Sequence, residues 1–170
     1  MIIMGIDPGS SSTGVAFLRD GAWLWGACLT SRDPPGPTAP SDPIARWFVR
    51  LAALIRKYQA TVVAYESYEY QGNKRTTANA PLMWQQVGAV RCLLTLPLVS
   101  SLHAHEPGVW RQQLTGDRRA GDQLVDRILQ HRLGVSLLNV HGQTTGSHIL
   151  DATGVALVTW DTLALLKHAT

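Results

Sequence analysis

The chain has 170 residues, a formal charge of +3 and a pI near 9.1, and 45% of it is apolar. That length reads as one domain over residues 1–170, able to bury about two thirds of its unfolded surface without disulfide staples. Cys28 and Cys92 lack a Cys-x-x-Cys spacing and are expected as buried thiols in a reducing compartment. Met1 leads directly into a strand-like run, and no uninterrupted apolar stretch approaches the roughly 18 residues of a membrane span, so a soluble cytoplasmic protein with no membrane partner is expected. Twelve of the 15 basic residues are arginine, whose planar fork suits phosphate, and a polyanionic partner fits that balance.

Ile2 to Ile6 is an apolar run of strand length that ends in Asp7. Pro8-Gly9 then turns the chain, and Gly14 to Leu18 returns as a second strand. Proline fixes φ and glycine tolerates positive φ, so the turn is stiff and the carboxylate before it points reproducibly beyond the sheet. Asp20-Gly21, a favoured hairpin dipeptide, leads into a third strand from Gly21 to Thr30. Five prolines, at 34, 35, 37, 40 and 43, make the next stretch a surface loop. Ser41 is a candidate cap for a helix over Ile44 to Tyr58, where Trp47, Phe48, Leu51, Leu54 and Ile55 share one face.

Thr61 to Glu66 is a β-branched run reached after one helix, and so a parallel partner for the first strand through a right-handed crossover. With parallel neighbours about 4.8 Å apart, Asp7 and Glu66 emerge at the same sheet edge, within reach of a shared ion. Tyr65, Tyr68 and Tyr70 interleave with Lys74 and Arg75 in the polar stretch that follows, a mixture suited to stacking on bases and contacting phosphates. A second helix is expected over Pro81 to Leu94, a fifth strand over Leu96 to Leu102 and a short helix over Glu106 to Leu114 with Trp110 and Arg111. A basic turn at Arg118-Arg119 precedes a helix over Ala120 to Leu133 with Leu124, Ile128 and Leu129 inward, and then a loop to Gly146. In the last helix, Ser147 to Trp160, His148 and Asp151 stand three residues apart and therefore on one face. Gly154 and Ala156 permit close packing on the sheet, which turns the polar pair toward the core side. Carboxylates there need a counter-charge, and a divalent metal shared with Asp7 and Glu66 supplies it.

Asp-Pro-Gly-x-x-x-Thr-Gly after the first strand, Glu66 ending the fourth and His-x-x-Asp on the last helix together resemble the RuvC family of Holliday-junction resolvases. Asn73, Gln86-Val87-Gly88-Ala89 and Arg118-Arg119 extend the likeness over nearly the whole chain. The resemblance implies an α/β, RNase H-like fold with a mixed five-stranded sheet flanked by helices, strands 1–3 antiparallel and strands 4 and 5 parallel to strand 1. It also implies a homodimer that resolves four-way DNA junctions in recombination and repair by nicking two opposed strands. Where the family carries a wedging aromatic, this chain has Glu69, with Tyr68 or Tyr70 as the substitute.

On that reading Asp7, Glu66, His148 and Asp151 are the catalytic and metal-binding set. They would hold two Mg²⁺ ions, replaceable by Mn²⁺, with Asp7 bridging and His148 either a ligand or the base that orients water. Lys74, Arg75, Arg111, Arg118 and Arg119 are expected to contact DNA phosphates beside Tyr68 and Tyr70. Met83, Trp84, Val87 and Arg91 on the second helix are expected at the dimer interface. Competing readings are a broader branched-DNA nuclease, a non-catalytic RNase H-like DNA-binding subunit, and an actin- or sugar-kinase-like phosphate-binding domain.

Overall fold

The computed structural model describes residues 1–9, 11–30, 40–67, 80–138 and 143–168. Strands β1 (Ile2–Asp7), β2 (Ser12–Arg19) and β3 (Ala22–Thr30) form an antiparallel meander. Asp20 and Gly21 both take positive φ in the turn joining β2 to β3, the twist that a two-residue hairpin needs. Leu24 is the extra residue of a bulge, since Phe17 pairs with Trp25 and Leu18 with Trp23. Helix α1 (Pro43–Tyr58) crosses over to β4 (Val62–Glu66), which lies parallel to β1 with Ile6 opposite Tyr65. Beyond it come α2 (Ala80–Cys92), a 3₁₀ turn (Leu93–Thr95) and β5 (Ser101–His105), parallel to β4. The chain ends in α3 (Pro107–Thr115), α4 (Asp122–Leu133) and α5 (Gln143–His168). Strand order is β3-β2-β1-β4-β5, the mixed sheet expected from the sequence.

Alternation along the strands divides the core in two. Met4, Ile6, Val63 and Tyr65 face α1 and α2, where Leu51, Ile55, Val87 and Val90 are buried against them. Ile3, Val62 and Ala64 face the other side, covered by α5 with α3 and α4 behind it. The closest packing is backbone on backbone. A Cβ added at Gly5 would run into the Ala152 carbonyl of α5, and one at Gly14 into that of His148. Only glycine at these two positions lets the helix lie directly on β1 and β2.

Several boundaries differ from the sequence reading. Asp42, not Ser41, caps α1, its carboxylate accepting from the Ala45 N–H at 2.7 Å. The fifth strand starts at Ser101 instead of Leu96, because Leu93, Leu96, Leu98 and Val99 are drawn under the sheet while Ser101 to His105 match the length of β4. Helix α4 starts at Asp122, not Ala120, and buries Val125, Asp126 and Leu129; Ile128, expected inward, is only half-buried. Buried Asp126 accepts from the Ser136 hydroxyl and from the Leu137 and Leu138 N–H groups, which fixes the exit from α4. Gly154 packs on the Trp110 ring of α3, and Ala152 and Ala156 face the sheet in its place. Cys92, expected to be buried, is exposed.

Helix α5 is longer than expected at both ends. Its stretch Gly146–His168 is long and apolar enough to cross a membrane by length and composition, although His148, Asp151, Asp161 and Lys167 interrupt it. Ile149, Val155 and Ala156 are fully buried in the core on this side of the sheet, which accounts for much of that apolarity. Gly5→Ala should force the helix off the sheet and cost about 2–3 kcal/mol. A thermal melt should therefore show a loss of several degrees.

Candidate active site

Asp7 and Glu66 end neighbouring parallel strands one position beyond the Ile6–Tyr65 pair. Both occupy the face that carries Gly5 and Ala64, the face on which α5 lies. The contacts of α5 with Gly5 and Gly14 place His148 and Asp151 above the same strand ends. His148 Nδ1 stands 2.6 Å from Asp7 Oδ2, joining residues 141 positions apart. Four side chains expected to act together thus come from β1, β4 and one face of α5.

Each carboxylate has its own donor. The buried Trp110 indole N–H donates to Glu66 Oε2 at 2.7 Å, and the ring is held from behind by Gly154. Arg111 donates to Asp151 Oδ1 at 2.5 Å, to Asp122 Oδ1 at 3.1 Å and to the Ala120 carbonyl at 2.7 Å. Its guanidinium lies 4.9 Å over the Trp110 ring. Asp122 also accepts from the Ser147 hydroxyl, next to His148 on α5, at 2.7 Å.

Burial, reinforced by the charge of Asp7, pushes the Glu66 carboxyl up to about 7, against the pull of Trp110 and Arg111. Burial and the charges of Glu66 and Asp7 push Asp151 up as well, with Arg111 opposing. The bond to Asp7 raises His148 and favours its protonated form. Three carboxylates are confined in a space whose charge is only partly offset, and hard oxygen donors with one imidazole suit a small divalent cation. Among the described residues no three His, Cys, Asp or Glu side chains are grouped so as to hold a metal ion as they stand, Glu66 and Asp151 being turned to Trp110 and Arg111.

Other expected site residues are distributed differently. Tyr68, Tyr70, Lys74 and Arg75 lie outside the described residues, as does the side chain of Met83. Arg118 and Arg119 are exposed on the turn between α3 and α4, Arg118 standing 3.7 Å from Glu106. Arg111, expected on the DNA-contacting surface, is instead turned inward onto Asp151 and Asp122. Val87, expected at an interface, faces the sheet and is buried, whereas Trp84 is exposed and Arg91 reaches the Tyr65 hydroxyl. Sequence reasoning missed Trp110 as the partner of Glu66 and Asp122 as the acid that holds Arg111. Their pairing depends on how α3 and α4 fold back over β4, and no local spacing carries that information.

A carboxyl whose pKa rises on folding adds stability that is intact below its ordinary value and is lost as pH climbs through the folded value. For Glu66 that window runs from the usual carboxylate range to about 7. In chelator-treated protein, Glu66→Gln should therefore raise the melting temperature at pH 8, by about 1–3 kcal/mol in stability, and give little change at pH 4. Saturating Mg²⁺ should shrink the pH 8 difference.

Comparison with known proteins identifies the family. The family model described as crossover junction endodeoxyribonuclease RuvC matches residues 3–159. A crossover junction endodeoxyribonuclease RuvC from Heliobacterium modesticaldum is 28% identical over 138 residues, 76% of this chain and 78% of the relative. A solved structure of Thermus thermophilus RuvC superposes with a TM-score of 0.71 at 20% identity, covering 96% of each chain. The same protein in complex with a Holliday junction substrate gives 0.70 at 20% identity, again over 96% of each chain. With nearly its whole length inside the family match, the chain belongs to the crossover junction endodeoxyribonuclease RuvC family.

Proposed function

We propose that this chain resolves four-way DNA junctions by metal-dependent phosphodiester hydrolysis, working as a homodimer in the cytoplasm. The observation that carries the reading is the convergence of Asp7, Glu66, His148 and Asp151 at one end of the sheet, where burial and neighbouring carboxylates raise the proton affinity of Glu66 and Asp151. Nucleases of this family depend on metal. Here Asp7, Glu66, His148 and Asp151 would hold two Mg²⁺ ions, with Mn²⁺ as a substitute. Bound there, the ions supply neutralisation of charge on the phosphate and a more acidic water. Asp7 fixes the imidazole at Nδ1, and His148 is left with Nε2 alone, for use either as a metal ligand or, when neutral, to orient a water.

Arg111 keeps a positive charge beside Asp151 and Asp122, where it offsets part of the negative charge of the site. Arg118 and Arg119 contact phosphates farther out on the exposed turn, together with Tyr68, Tyr70, Lys74 and Arg75. A kinase-like phosphate-binding domain is set aside by the family match over residues 3–159.

The junction's two-fold symmetry calls for two active sites. Exposed Trp84 and Leu94, with Arg91, lie on the outer side of α2 and its following turn, and a Cβ at Gly88 on the same helix would meet nothing. A flat glycine beside an exposed indole suits close approach of the same helix from a second copy.

Asp7→Asn, Glu66→Gln and Asp151→Asn should each reduce nicking of a labelled four-way junction by about 100-fold or more. Junction binding measured by gel shift should be nearly unchanged, with a Y-fork and plain duplex run alongside. Wild-type rates in any of the three would remove that residue from the site. Trp84→Glu should sediment as a folded monomer and lose paired cleavage while still nicking single strands. A dimeric Trp84→Glu protein would place the interface elsewhere.

A further inference from the structure

The turn that presents Asp7 is gripped from both faces of the sheet. On one side Gly9 lies close to the start of β2 and to α5: an added Cβ would press on the Ser12 carbonyl and come within 3.2 Å of the His148 ring. On the other side the Gln86 side chain of α2 reaches across 77 positions of sequence and donates from Nε2 to the Gly9 carbonyl at 3.0 Å. Gln86 is 5% exposed, and its Oε1 has no hydrogen-bond partner among the described residues. The amide is oriented by its one bond, because only the nitrogen end can face a carbonyl.

A buried acceptor unpaired among the described residues is unfavourable for folding, and an apolar side chain of the same shape would fill this space without that cost. What the amide provides is therefore the grip on Gly9. We infer that Gln86 is a positioning residue for the nuclease reaction, holding the Asp7-Pro8-Gly9 turn so that the Asp7 carboxylate and the His148 ring keep the geometry a metal needs. The inference rests on the junction-nuclease reading above and adds a residue on the opposite face of the sheet. It also ties the site to α2, whose outer side carries Trp84.

Gln86→Met keeps the volume and removes both the bond and the orphan, and Gln86→Glu keeps the length but loses the donor at neutral pH. The test combines melting temperature, Mn²⁺ titration of the protein without DNA by calorimetry, and single-turnover nicking of a labelled four-way junction across Mg²⁺ concentrations. For Gln86→Met the expected result is a melting temperature equal to or above wild type, with weaker Mn²⁺ binding and nicking slower by about tenfold or more. Gln86→Glu should lose Mn²⁺ affinity and nicking to a similar degree. Unchanged Mn²⁺ affinity and nicking in both variants overturns the proposal, and so does a loss of activity matched by a fall in melting temperature in both. If wild-type protein binds Mn²⁺ but nicks no junction, the functional reading falls, and the Mn²⁺ affinities of the variants still decide the role of Gln86.

Discussion

The contact between the α5 backbone and the sheet at Gly5 and Gly14 is the constraint from which the site is measured. With no side chain between them, helix and sheet have almost no freedom to slide, and two residues of the first turns of α5 are fixed relative to the end of β1. Any larger residue at either glycine would lift His148 and Asp151 away from Asp7. Precision at the site thus comes from absent atoms, a cheaper device than a network of oriented side chains and one that also closes the core on that face.

Negative charge is then gathered where water is scarce. Isolated, Glu66 and Asp151 would be costly in this setting, and the fold answers with one donor apiece from the adjoining helix: Trp110 for Glu66 and Arg111 for Asp151. Asp122 holds Arg111 from the far side and reaches Ser147 beside His148. The residual repulsion is visible in the raised proton affinity of both acids, and it is what a cation at the proposed site would relieve.

Much of this was legible in the sequence where the signal was local. Asp7 before Pro8-Gly9, Glu66 at the end of a β-branched run and the three-residue spacing of His148 and Asp151 each state a position within an element, and a single crossover rule joins the first two. The parallel pairing of β4 with β1 followed from the same rule, whereas the full five-stranded mixed sheet was implied by the family resemblance. What could not be read was side-chain direction across elements. Arg111 looked like a surface cation and is an internal one, because its neighbours Asp122 and Asp151 come from two other helices. Val87 looked like part of an apolar surplus on α2 and is core, because which side of that helix meets the sheet is set by packing and not by its nearly uniform hydrophobicity. The fifth strand was misplaced by the apolar run Leu93 to Val99, which serves as a floor to the sheet and not as a strand.

The Asp7–His148 pair joins the start of the chain to its last helix across 141 residues. On a ribosome, β1 to β4 and α1 emerge and can begin to pair long before α5 exists, and contacts of such sequence separation form late. A nascent or truncated chain therefore carries Asp7 and Glu66 without their partners His148 and Asp151, and with Gly5 and Gly14 uncovered. Synthesis itself thus leaves the proposed site incomplete until the protein is almost finished, and a premature fragment lacks two of its four side chains.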